Sequence, residues 1–176
     1  MTPVDVLIRL RGYESRLLVQ IEQSMALAAL DATDACLPIA KARWSLARML
    51  REYQLFKHTE IFDPAILHGD KDQAAVARRM RAECIAAGSH FTAYVARWSR
   101  RDVAAAWPEY RAATRAMIEG MRRHIAREQR EAAALLTGPC WTRKPAWLDA
   151  PALASGRSNS SPGRSRPAAH ADSHAR

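Results

Sequence analysis

The stretch of sequence that decides the fold is Met117–Leu136, MIEGMRRHIAREQREAAALL. Several of its side chains recur three, four or seven residues apart and therefore share one face of a helix. These residues are Met117, Met121, His124, Glu128 and Leu135. A histidine and a glutamate thus lie in line with the methionines of an apolar stripe. A buried imidazole and a buried carboxylate must be hydrogen-bonded, ion-paired or bound to a cation, because burying them without a partner is strongly unfavourable.

Helical spacing also runs through the first part of the chain. Thr2 and Pro3 are a capping hydroxyl followed by a proline at the first helical position, so we expect a helix from there to about Leu30. We expect a second helix to start at Pro38 and to be interrupted at Asp63-Pro64. Its predicted buried stripe consists of Ala40, Trp44, Ala47, Leu50, Gln54, His58 and Ile61.

Two further helices complete the predicted fold. Asp70 can cap a third helix, whose stripe is Val76, Met80, Cys84, Ala87, Phe91, Tyr94, Val95 and Trp98. The fourth helix is expected to hold Pro108 in its first turn and to stop at Gly138-Pro139. Four long helices with short connections predict an all-α protein, an antiparallel up-down four-helix bundle over residues 1–137.

The sequence changes character after Thr137. Fourteen of the 39 residues from 138 to 176 are Gly, Pro or Ser, and this segment holds six Lys or Arg against two Asp or Glu. We expect a Pro/Ser/Arg-rich tail that is largely disordered. Through its basic residues the tail could bind nucleic acid, at most weakly and without sequence preference.

The composition limits the classes of function. The three cysteines form no CxxC pattern, which argues against a zinc site or a disulfide framework and suits a cytoplasmic protein. No apolar stretch is long enough to span a membrane. We find no glycine-rich phosphate loop and no spacing of a nucleophile and a base, so we expect no enzyme activity.

Several phrases resemble the hemerythrin-like (HHE cation-binding) domain family. They are HIAREQREAAALL in the fourth helix, YQLFKHTEIFDPAI in the second, and ARRMRAECIAAGSHFTAYVARWS followed by WPEYR in the third and its lead into the fourth. The resemblance covers about Pro3 to Leu136. It implies an up-down four-helix bundle that holds two non-haem irons with histidines and carboxylates from all four helices, and that binds oxygen or senses iron and redox state.

The resemblance also implies which residues would be ligands. His124 and Glu128 match the ligands of the fourth helix, whereas Gln54 stands where the family has a histidine and His58 where it has a glutamate. Cys84 lies about where a ligand histidine is usual, and the first helix contains no histidine. The predicted metal residues are therefore His58, His124 and Glu128, with Gln54, Cys84 and His90 as neighbours.

Two functions follow as expectations. The first is a hemerythrin-like bundle with a degenerate non-haem metal site and a regulatory or structural role rather than oxygen carriage. We expect it to hold no cofactor, with non-haem iron or another transition metal as the alternative. The second function is a metal-free helical interaction module that binds an unidentified partner protein or, weakly, nucleic acid.

Overall fold

The computed structural model describes residues 2–138 and Trp141. Five α-helices lie in this range, and none of these residues belongs to a β-strand. The helices are α1 (Pro3–Ala29), α2 (Ala32–Lys57), α3 (Asp63–His68), α4 (Lys71–Ser99) and α5 (Trp107–Leu136). A π-helical segment, His58–Phe62, joins α2 to α3. The predicted all-α fold, built on four long helices, is confirmed.

The four long helices form an antiparallel up-down bundle. Helix α1 packs against α2 and α5, and α4 packs against the same two helices, while the short α3 packs on α4. The main core runs through the middle of the bundle and contains Leu10, Leu17, Ile21, Met80, Phe91 and Ile125. A smaller aromatic core closes one end, where Trp98, Trp107 and Tyr110 pack together.

Local signals begin three of the long helices as expected. The Thr2 hydroxyl accepts the backbone N–H of Asp5 while the Asp5 carboxylate accepts that of Thr2. Asp70 and Gln73 make the same reciprocal pair at the start of α4. Pro108 lies in the first turn of α5, where its missing N–H leaves no hydrogen bond unmade. These three predictions are confirmed.

The second helix starts earlier than predicted. It begins at Ala32, and Pro38 lies inside it. The backbone N–H groups of Asp34 and Ala35 donate to the Asp31 carbonyl at 3.2 and 3.0 Å, so the first turn forms before the proline is reached. Pro38 removes one donor from the second turn without ending the helix.

The buried face of α2 also differs from the prediction. Its buried residues are Ala35, Ile39, Ala42, Arg43, Leu46, Tyr53, Phe56 and Lys57. Trp44, predicted to be buried, is 59 % exposed. The true face is rotated by about one residue, or ~100° around the helix, from the predicted one. It was missed because two of its members are a buried arginine and a buried lysine.

The predicted interruption at Asp63-Pro64 is a change of helix type. The Asp63 backbone N–H donates to the carbonyl of His58, five residues back, in the π-helical segment. Pro64 has no N–H to donate, and it occupies the first turn of α3, where none is needed. The chain leaves the helical path only at Gly69.

The predicted tail begins where the described part of the chain ends. Within residues 138–176 the structure describes Gly138 and Trp141, and Trp141 is half-buried against the main core. The prediction of a largely disordered tail falls on residues outside those described. In the described part of the chain, no helix combines the length and the apolar character needed to cross a bilayer.

Candidate functional site

A buried ion pair joins α2 to α5 in the middle of the bundle. The Nζ of Lys57 lies 2.6 Å from each carboxylate oxygen of Glu128, and both side chains are only 3 % exposed. Lys57 is the last residue of α2, one turn after Tyr53, whose ring centroid lies 4.0 Å from the same Nζ. The ammonium group is thus held by a carboxylate on one side and by the face of an aromatic ring on another.

His124 extends this pair along α5. Its Nε2 lies 3.2 Å from Oε1 of Glu128, one turn further on, and its side chain is 17 % exposed. A hydrogen bond with Cys84 of α4, and then the one with Glu128, raise the pKa of His124 to about 9. The guanidinium of Arg127 lies at the limit of contact, 3.5 Å from Nδ1, and is paired instead with Glu83 at 2.9 Å. The raised pKa favours the protonated form of the ring at neutral pH.

Glu128 is ionised although it is buried. Burial on its own raises the pKa of a carboxyl group, but the hydrogen bonds and charges of His124 and Lys57 outweigh burial and hold the pKa of Glu128 below its ordinary value. One carboxylate consequently receives donors from two cationic side chains.

A second buried carboxylate lies on α1. Glu14 is 1 % exposed and accepts hydrogen bonds from Nε2 of Gln129 at 3.0 Å and from the hydroxyl of Tyr53 at 3.4 Å. Arg11 reaches it at 3.5 Å from the surface. Burial raises the pKa of Glu14, and these donors oppose the rise. With Lys57, Cys84 and His124, Glu14 completes a polar layer to which all four long helices contribute.

The structure brings some of the predicted site residues together and separates others. His124 and Glu128 are in direct contact, and Cys84 adjoins His124. His58 is half-buried in the π-helical segment, and burial lowers its pKa. Its Nε2 has no hydrogen-bond partner among the described residues. Two predicted neighbours lie apart from the ion pair: Gln54 packs its amide beside Gly88 of α4, and His90 is exposed.

The arrangement does not fit the metal centre that the family resemblance implies. Among the described residues, no group of three or more His, Cys, Asp or Glu side chains is placed to hold a metal ion. The position that a metal would take beside Glu128 is held by the ammonium of Lys57, which cannot act as a ligand while protonated. The geometry gives no support to metal ligation by His58, His124 and Glu128, which stays a prediction.

Two members of the polar layer were missed in the sequence. Glu14 falls at helical spacing between Leu10 and Leu17, and Lys57 falls one turn after Tyr53. The signal in the sequence was a charged residue at helical spacing from residues that are buried. It could have identified Glu14 and Lys57 as buried, though not as partners of particular residues on other helices.

A cavity of about 750 Å³ opens beside this layer, between α2, α4 and α5. Lys57, Cys84 and His124 of the polar layer line it, and its walls are mainly apolar. The walls include Leu50, Phe91, Val95, Met117 and Met121. Trp44, which the core does not use, lines the same cavity from α2. Gly120 leaves part of the α5 wall without a side chain, and within the described part of the chain a Cβ added there would meet no atom of another element within 4 Å.

Comparisons of the chain with protein-family models, with curated proteins and with solved structures found no match. The similarity to hemerythrin-like domains therefore depends on the sequence phrases alone.

Proposed function

We propose that this chain is a metal-free four-helix binding module that holds an apolar small molecule between α2, α4 and α5. The cavity of about 750 Å³ carries the proposal. Small-molecule sites typically measure ~300–1,000 Å³, with apolar walls and a few convergent polar groups. The cavity fits this description, because its lining is mainly apolar and also includes polar side chains such as Lys57 and His124.

The buried ion pair supports a function without metal. Lys57 supplies, as part of the chain, the positive charge that Glu128 would otherwise need from a bound cation. Of the two functions expected from the sequence, the metal-free one agrees better with this ion pair, although the ligand proposed here is a small molecule and not the partner protein or nucleic acid expected there. A regulatory role of a hemerythrin-like bundle would, in this protein, depend on ligand binding rather than on iron chemistry.

The polar layer also favours binding over catalysis. Both oxygens of Glu128 are engaged by Lys57, and one of them also by His124. A general base must lie within hydrogen-bond reach of the proton that it removes, and Glu128 is not among the described residues that line the cavity. Glu14 is likewise surrounded by donors and buried away from the surface.

A pair of glycine substitutions tests the proposal. A Cβ added at Gly120 or at Gly12 meets no neighbouring atom within 4 Å, but only Gly120 lines the cavity. In Gly120→Leu the new side chain should enter the cavity, whereas in Gly12→Leu it should lie on the exposed surface of α1. Each change also removes a glycine from a helix interior, which stabilises a helix by roughly 0.5–1 kcal/mol, so both variants should fold.

Decanol, an uncharged apolar probe, can be titrated into each protein by calorimetry. We expect saturable one-site binding to the wild type and to Gly12→Leu, and at least tenfold weaker binding to Gly120→Leu. The absence of saturable binding to the wild type, or equal binding to both variants, would overturn the proposed site.

A further inference from the structure

A second, much smaller cavity lies where the main core meets the aromatic core. It measures about 20 Å³, and all four long helices line it, with Ser24 of α1, Arg43 of α2, Tyr94 of α4 and Thr114 of α5 as its polar residues. None of the described residues that line it is an aspartate or a glutamate. A basic side chain therefore lines a small space in which no described acidic side chain balances its charge.

The guanidinium of Arg43 is buried and lacks a partner for two of its nitrogens. Arg43 is 7 % exposed, and its Nε and Nη1 atoms have no hydrogen-bond acceptor among the described residues. An arginine keeps its charge even when it is buried, so it cannot avoid the cost of burial by losing a proton. Its guanidinium carbon lies 5.9 Å from the centroid of the Tyr110 ring, near the outer limit of a cation–π contact. That contact offsets part of the charge, and the N–H groups still require an acceptor.

The hydroxyl groups that line the small cavity can act as donors to a molecule inside it. The Ser24 hydroxyl donates to the Gln20 carbonyl at 2.8 Å, and the Thr114 hydroxyl donates to the Tyr110 carbonyl at 2.8 Å. Tyr94 and Thr114 share a hydrogen bond of 2.7 Å in which either oxygen can be the donor. If Thr114 donates to Tyr94, the Tyr94 proton is free for an occupant of the cavity. This reversal adds a hydroxyl donor to the guanidinium donors, which favours an occupant that carries negative charge.

The size of the small cavity limits its occupant to a single atom or a single water molecule. A cavity needs about 10–15 Å³ to hold one water, and this cavity exceeds that value only slightly. A chloride ion is a little larger than a water molecule, whereas carboxylates, phosphate and sulfate are much larger. Of the two occupants that fit, only the ion balances the charge of the guanidinium.

We propose that the small cavity is a halide site, in which one chloride ion accepts hydrogen bonds from the buried N–H groups of Arg43. The site adjoins the large cavity, with which it shares Phe91 and Met121, but among the described residues Arg43 lines only the small one. The inference does not depend on the proposed small-molecule site. Because only the folded chain forms the cavity, bound chloride stabilises the fold.

Urea unfolding in different salts tests the halide site. Sodium chloride replaces sodium methanesulfonate at constant ionic strength, since the methanesulfonate ion is too large for the cavity. We expect the equilibrium constant for folding of the wild type to increase with chloride, and to approach a tenfold increase for each tenfold rise in chloride once the site is filled. Bromide should act in the same way. If neither halide changes the folding equilibrium, the site holds no ion and the proposal fails.

Two arginine substitutions on α2 locate the ion. Arg43→Met removes the proposed ligand and should lose the dependence on halide. Arg48→Met is the matched control, because it removes the same charge from an exposed position of the same helix that lines neither cavity, and it should keep the dependence. An equal dependence in Arg43→Met would show that halides act elsewhere on the protein.

Crystals of the wild type grown with sodium bromide give a direct measurement that needs no variant. Anomalous scattering should place a bromide ion within hydrogen-bond distance of the Arg43 guanidinium. A water molecule at this position, with no anomalous signal, would contradict the proposal.

Discussion

The Lys57–Glu128 ion pair offers the sharpest test of how the core is held together. In Lys57→Met the carboxylate of Glu128 keeps only His124 as a donor and loses the cation that lies 2.6 Å from both of its oxygens. Removing one member of a buried pair costs about 3–5 kcal/mol, because the remaining charge is left without compensation. For a folded region of this length, each kcal/mol corresponds to about 3–4 °C in melting temperature. We therefore expect the melting temperature to fall by about 10–20 °C.

The double variant Lys57→Met, Glu128→Leu should recover much of this loss. It removes both charges from a site that is 97 % buried on each side and leaves apolar side chains of similar volume. Replacing a buried pair by apolar residues is often neutral or stabilising in other proteins. Here His124 loses its partner on α5, but it is partly exposed and still adjoins Cys84. We expect the two single losses to exceed the double loss by at least about 2 kcal/mol.

Thermal and urea unfolding followed by far-UV circular dichroism measure these differences. An exposed ion pair, Arg81–Asp63 at 2.9 Å, provides the control, and Arg81→Met should cost less than about 1 kcal/mol. Small and additive losses for Lys57 and Glu128 would place these side chains in water and refute the buried pair. Metal analysis of untagged wild-type protein belongs in the same experiment. Near-stoichiometric iron or zinc in the wild type that is lost in Glu128→Leu would support metal ligation by Glu128.

Two further predictions concern other ionisable groups of the core. Because the pKa of His124 is raised to about 9, above that of an unfolded histidine, its contribution to stability is complete below pH ~6.5 and is lost as the pH rises through about 9. Urea unfolding at several pH values should show a decline of at most roughly 3 kcal/mol over this window, and His124→Gln should flatten it. The titratable or charged groups that face the ring are Lys57, Cys84, Arg127 and Glu128. Nε and Nη1 of Arg43 are buried and have no acceptor among the described residues, so Arg43→Met should raise the free energy of unfolding by about 1 kcal/mol. A decrease of similar size would show that these donors are satisfied in the wild type.

The helices could be predicted where short-range chemistry determines them. The reciprocal caps at Thr2 and Asp70 use residues three positions apart, and the position of Pro108 follows from its missing N–H. The stripe of α4 was predicted correctly at Met80, Cys84 and Phe91 because its buried positions hold apolar residues. In each case the interactions that determine the structure join residues only a few positions apart in the sequence.

The face of α2 could not be predicted in the same way. A hydrophobic pattern assigns Lys57 to the surface and Trp44 to the core, and the structure reverses both assignments. Lys57 tolerates burial because Glu128, 71 residues away in the sequence, meets its ammonium group. Nothing near Lys57 in the sequence reports that partner. The same limit applies to Glu14, which depends on Gln129 of α5.

A lysine and a metal ion are two ways to neutralise a buried carboxylate. A carboxylate such as Glu128, buried among apolar helices, needs a positive charge close to both oxygens, and either a bound cation or an ammonium group can supply it. A metal needs several further ligands held in fixed geometry, whereas a lysine needs only one residue in phase with the buried face. Of the histidines before the tail, two, His58 and His124, lie in or beside this core, while His68 and His90 are exposed. Lys57 neutralises Glu128 without any metal-coordinating residues. The cavity between α2, α4 and α5 is then available to a small molecule.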